Sequence, residues 1–125
     1  MNDPTKLAVL GNGKQRKSYL YVGDCIDAIM VAIENANDKV NILNLGTDEY
    51  CEVNDSIGWI NEHLKLKPVL SYSGTERGWI GDNPFIFLDT KKIRNLGWKP
   101  KYTIKEGIIK TIMYLENNQW LLNEK

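Results

Sequence analysis

Between Asp24 and Asn35 the chain carries apolar residues on almost every side of a would-be helix. Ile26, Ile29, Met30 and Ile33 recur at i, i+3, i+4 and i+7, the spacing of one helical face. Cys25, Ala28, Val31 and Ala32 widen that face around the cylinder, and Asp24 is the predicted cap. A helix of this kind needs cover on two sides. A chain of 125 residues suits one domain with a real core, and is expected to supply one of those sides.

The remaining elements are shorter. Leu7–Leu10 and Ser18–Val22 read as strands flanking Gly11-Asn12-Gly13, which predicts an antiparallel pair with a long connection. Val40, Ile42 and Leu45 alternate with Asn41 and Asn44, which predicts a strand ended by Gly46. Val53, Ile57, Ile60 and Leu64 mark a second helix whose start is weakly specified, because Glu52 stands where a Ser or Thr cap would be better. Pro68–Tyr72 is a further strand. Asp89 caps a small helix through Leu96 that Gly97 ends. Thr103-Ile104-Lys105-Glu106 is a capping box opening a helix with Ile104, Ile108, Ile112 and Leu115 on one face. The tail from Asn117 to Lys125 is expected to fray. The alternation of strands and helices, without repeat or internal linker, predicts an α/β or α+β fold in a single domain over residues 1–125.

Composition limits the partners. Sixteen basic and sixteen acidic residues cancel, so no overall field draws the chain to nucleic acid or to an anionic membrane. Apolar runs are short and interrupted, which predicts neither a membrane span nor a signal peptide. Cys25 and Cys51 lack metal-ligand spacing, and His63 is the one imidazole, so no metal site is expected. A reduced, cytoplasmic protein is the expectation. His63 lies on a helix of core positions and reads as a packing or surface residue, and Cys25 reads as core.

The stretch Arg77-Gly78-Trp79-Ile80-Gly81-Asp82-Asn83-Pro84 concentrates chemistry. A guanidinium meets two phosphoryl oxygens with its planar fork, a carboxylate accepts from vicinal hydroxyls, and glycines admit close approach of a ligand. The same residues also suit a surface loop with a packed Trp. The basic patch Lys14-Gln15-Arg16-Lys17, next to Tyr19 and Tyr21, reads either as a solvated loop or as phosphate contacts beside stacking rings.

Four motifs in register carry a resemblance: Gly11 through Asp24, then Asn44-Leu45-Gly46-Thr47, then Arg77…Gly81-Asp82…Pro84, then Leu96-Gly97-Trp98-Lys99-Pro100. Together, from about Leu7 to about Glu116, they resemble the C-terminal part of NAD-dependent nucleotide-sugar epimerases and dehydratases. These are extended short-chain dehydrogenase/reductases of which UDP-glucose 4-epimerase is a well-known member. The resemblance implies that this part holds a UDP- or dTDP-sugar. Lys17 and Arg77 would grip the diphosphate, Tyr19 and Val53 would lie near the nucleoside and base, and Asp82 would bind ribose hydroxyls. Lys17 departs from the arginine usual there and loses its fork, a role neighbouring Arg16 could fill. Trp79-Ile80 is inserted relative to the best-known relative.

The family's NAD-binding Gly-x-x-Gly-x-x-Gly loop and Tyr-x-x-x-Lys acid/base pair do not occur in this sequence. The resemblance therefore implies a fragment of a longer enzyme, or a truncated gene product, without a Rossmann half. Such a chain is not catalytic alone and holds no NAD itself. The helix at Asp24–Asn35 would pack on the absent half. A non-catalytic interaction module derived from such an enzyme, with self-association through the exposed apolar surface, is the alternative.

Overall fold

The computed structural model describes residues 3–83 and 85–122. Pro84 and the tail's last three positions lie outside the described residues. Four short strands and four α-helices follow one another as β1 (Lys6–Val9), β2 (Arg16–Lys17), α1 (Val22–Asn35), β3 (Cys51–Glu52), α2 (Val53–Leu64), β4 (Val69–Tyr72), α3 (Lys91–Asn95) and α4 (Ile104–Asn117). The expected mixed α/β class is the observed one.

The strands pair differently from expectation. β1 runs parallel to β4, with Lys6 opposite Val69 and Val9 opposite Tyr72. Arg16 and Lys17 of β2 pair antiparallel with Glu52 and Cys51 of β3. The predicted pair of Leu7–Leu10 with Ser18–Val22 is therefore absent. Gly11 and Gly13 turn the chain away from β1, and its ladder is taken up by β4. Residues 40–45 form no strand either. Leu43 and Leu45 pack inward while Val40 and Ile42 are exposed, and no strand edge among the described residues accepts their backbone.

α1 begins two residues before Asp24. Tyr21 takes the cap position without a side-chain bond, its carbonyl accepting from the Cys25 N–H at 3.0 Å. Asp24 instead lies in the first turn, 1% exposed, and works on tertiary structure. Its backbone carbonyl accepts from Trp98 Nε1 at 3.1 Å, and its carboxyl accepts from the Tyr102 N–H at 3.2 Å. Ala28, Ile93 and Trp98 form the centre of the core, with Leu20, Val31, Leu43 and Leu45 packed around it. So α1 docks by its small-residue side. Ile26, Ile29, Met30 and Ile33, the face that the periodicity marks most clearly, are exposed, Ile33 by 70%. The structure covers one side of this helix, as its sequence predicts.

α2 is better capped than its sequence suggests. The Asp55 carboxylate reaches back to the Glu52 N–H at 2.8 Å, one arm of a capping box. Its next two N–H groups, of Val53 and Asn54, donate to the carbonyls of Gln15 and Gly13 at 3.0 and 2.9 Å. Three donors that a helix start leaves unpaired are thus satisfied. The same bonds fasten β2 to α2. α2 packs on α4, where His63 Nε2 lies 3.2 Å from Glu116 and Lys105 pairs with Glu62 at 3.3 Å. α4 opens with the predicted box, Thr103 accepting from the Glu106 N–H and Glu106 accepting from the Thr103 N–H. Gly97, at φ 94°, ends the turn after α3 as predicted. Gln119–Leu122 form a 3-10 turn, where fraying was expected. No helix among the described residues is long and apolar enough to cross a membrane.

Candidate functional site

β2 leads through Ser18–Leu20 into α1, and this extended run forms one wall of a cleft of about 370 Å³. Trp79 and Gly81–Asn83 form the facing wall, and Leu45, Gly46, Ile86 and Leu88 make an apolar floor. A cavity of this size with a few converging polar groups is the ordinary form of a small-molecule site. The first wall is rigid because β2 is held by β3 and by the start of α2.

The facing loop is tied at both ends. Its entrance is fixed by the Gly11 N–H donating to Ser73 Oγ at 2.6 Å, and by the Ser73 N–H donating to the Val9 carbonyl at 3.0 Å. Within the loop, Asp82 folds back. Its N–H donates to the Trp79 carbonyl and its Oδ2 accepts from the Gly78 N–H, both at 3.0 Å. Asp82 Oδ1 then bonds across the cleft to Lys17 Nζ, which also donates to the Asn83 carbonyl at 2.9 Å. Lys17 and Asp82, 65 positions apart in the chain, meet at this one point.

The pair sets the local electrostatics. The hydrogen bond from Lys17 holds the Asp82 carboxyl below its usual range, with the Gly78 N–H and the charges of Lys17 and Arg77 acting the same way. The Tyr19 hydroxyl is pushed up, first by burial and then by Cys51 and Asp82. Burial, then Asp55 and Glu49, pushes the Cys51 thiol up to about 11, so it is a protonated core group at neutral pH.

Of the residues singled out in the sequence, Arg16, Lys17, Tyr19 and Asp82 border this cleft. Arg77 is exposed and does not line the cleft, although its charge reaches Asp82. Val53 lines a separate apolar groove between β1 and α2, with Leu7, Val9, Ile57, Ile60 and Leu64. The Arg16 guanidinium lies over the rings of Phe85 at 4.8 Å and Tyr50 at 5.4 Å. Phe87 stacks on Phe85 beyond it. No sequence signal marks this aromatic cluster, since Arg16, Tyr50 and Phe85 come from three separate segments of the chain. Asn83 joins the site through its backbone carbonyl, for which no side-chain pattern gives a signal.

The arrangement is a basic strand facing an Asp-bearing loop over an apolar floor, in a small mixed α/β chain. Comparison with known proteins narrows this class. Residues 2–111 match the family described as GDP-mannose 4,6 dehydratase, and the chain belongs to that family. It is 33% identical over 110 residues to a putative UDP-glucose 4-epimerase of Methanocaldococcus jannaschii, a match covering 88% of this chain and 34% of that protein. The crystal structure of UDP-glucose 4-epimerase with UDP-glucose from Thermotoga maritima superposes with a TM-score of 0.80 at 26% identity, over 93% of this chain and 36% of that one. A dTDP-glucose 4,6-dehydratase from Bacillus anthracis in complex with NAD shares the fold, with a TM-score of 0.76 at 23% identity over 92% of this chain and 36% of that one. The chain spans between 17% and 35% of the length of the curated relatives it matches. The resemblance to nucleotide-sugar epimerases and dehydratases carried by the four motifs is therefore confirmed.

A group whose folded-state pKa is lowered stabilises the fold above its ordinary pKa, and that contribution is lost as pH falls through the lowered value. The Lys17–Asp82 tie is thus fully present at neutral pH. Carbon-detected NMR titration of the Asp82 carboxyl should give a midpoint below the ordinary value of about 3.9. Lys17→Met should move it upward; a midpoint indifferent to that change would contradict the contact.

Proposed function

We propose that this chain is the substrate-holding part of an NAD-dependent nucleotide-sugar epimerase or dehydratase, acting as one unit and binding the diphosphate and ribose of a UDP- or dTDP-sugar in the Lys17–Asp82 cleft. The observation that carries this reading is the meeting of those two side chains across a cleft otherwise walled by Tyr19 and floored by apolar groups. An ammonium has three N–H donors. Two of those of Lys17 go to Asp82 and Asn83, which leaves the third for a phosphoryl oxygen. Each Asp82 oxygen accepts one bond within the protein and retains a lone pair for a hydroxyl. Arg77, in the same loop as Asp82, would add a bidentate donor for the second phosphate. Arg16, spread over Phe85 and Tyr50, is less placed for that task and shapes the rim.

The residues present do not fit NAD. A dinucleotide needs a glycine-rich turn feeding a helix whose first N–H groups face the pyrophosphate. Here Gly11–Gly13 lead into β2, and the first N–H groups of α2 are occupied by the carbonyls of Gly13 and Gln15. Nor does any Tyr in the chain have Lys four positions later to act as an acid/base pair. Hydride transfer would belong to the remainder of a full-length enzyme, and this chain alone would be inactive. Isothermal titration with UDP, UDP-sugars and dTDP-sugars should show weak binding, about −4 to −6 kcal/mol. Arg77→Ala and Asp82→Ala should each abolish it, and binding unchanged in both variants would remove the assignment.

One observation favours a second reading, an interaction module derived from such an enzyme. Ile26, Ile29, Met30 and Ile33 present an uncovered apolar stripe along α1. Contiguous apolar surface of this kind marks a docking face. On this reading the isolated chain self-associates through α1, so its light-scattering mass rises with concentration. A constant monomer mass up to millimolar concentration would count against it.

A further inference from the structure

We infer that Trp79 is a specificity residue of the cleft, an aromatic surface on which the base of a bound nucleotide stacks. The inference rests on the nucleotide-binding reading above and extends it to a residue that reading leaves unused. Trp79 borders the cleft opposite Tyr19 and is 65% exposed, an unusual position for the largest apolar side chain. Its place is built rather than incidental. The Asp82 N–H closes a turn onto the Trp79 carbonyl at 3.0 Å, and Asp82 is itself held by the Gly78 N–H and by Lys17. The indole lies across Gly81, where a Cβ would come within 2.5 Å of the ring carbon Cη2. Glycine at this position is therefore what lets the ring lie over the turn.

Geometry then assigns the ligand group. Asp82 is the acceptor for ribose hydroxyls, and the base is the group joined directly to the ribose. An aromatic surface folded back onto the same turn as that acceptor meets the base before it meets the hexose beyond the diphosphate. Stacking tolerates any base, because every base has a π-face, so Trp79 selects a nucleotide over a simple diphosphate rather than one base over another.

Binding of UDP and of inorganic pyrophosphate to the full chain, followed by titration calorimetry, separates the roles. Trp79→Ala should weaken UDP binding roughly fivefold or more and leave pyrophosphate binding unchanged, while Trp79→Phe keeps most of the UDP affinity. Gly81→Ala, which pushes the ring aside, should weaken UDP in the presence of Trp79 and have no further effect in the Trp79→Ala background. UDP affinity unaltered by Trp79→Ala, or an equal loss for pyrophosphate, would overturn the inference while leaving the nucleotide site standing. An unsubstituted chain that binds neither probe would overturn the site and the inference together, and one that binds pyrophosphate alone would leave an anion site without a stacking residue.

Discussion

Asp24 is buried in the first turn of α1, and two of its oxygens hold the chain that follows α3: its carbonyl takes the Trp98 indole N–H and its carboxyl takes the Tyr102 N–H. Burying a polar group is costly unless its bonds are made, so this residue fixes α1 at one angle and one register against the Ala28–Ile93–Trp98 core. The residues just before α1 are thereby fixed as well. Ser18–Leu20 run from β2 to that anchored turn, and they are the first wall of the cleft. The Asp24 anchor fixes one end of that wall, and β3 with the start of α2 fixes the other, at Lys17.

The starts of α2 and α4 are closed by bonds within the protein. The first N–H groups of α2 are taken by Gly13 and Gln15, and the start of α4 is closed by Thr103, Glu106 and Glu49, whose carboxylate accepts from the Ile104 N–H at 2.9 Å. On the proposed reading an anion meets the side chains of Lys17 and Arg77. Lys17 is already oriented by Asp82 and Asn83, so on that reading little side-chain freedom would be lost on binding a phosphate.

Local signals made several elements readable from the sequence. The Thr103–Glu106 box, the Gly97 stop and the Val53–Leu64 periodicity each reflect chemistry within one turn, and each element lies where those residues put it. Long-range choices were not readable. β1 pairs with β4 and not with the nearer Ser18–Val22 run, since a short strand's pattern gives its faces but not its neighbour. Asp24 looked like a helix cap because its tertiary partners lie at Trp98 and Tyr102, far along the chain. In the cleft, Lys17, Tyr19 and Asp82 stand out in the sequence by their chemistry, and the resemblance to the epimerases and dehydratases assigns them roles. The Arg16–Tyr50–Phe85 cluster is contributed by three separate segments, so no sequence window contained it.

The central proposal is that a nucleotide diphosphate sits between β2 and the Asp82 loop. Mapping UDP onto the full chain by amide chemical-shift perturbation tests it most directly. The account predicts that the amides of Lys17, Tyr19, Gly78 and Asp82 move together along one binding curve, with those lining the β1–α2 groove unmoved. Perturbations confined to the Ile57–Leu64 side of that groove, or none at saturating UDP, would contradict it.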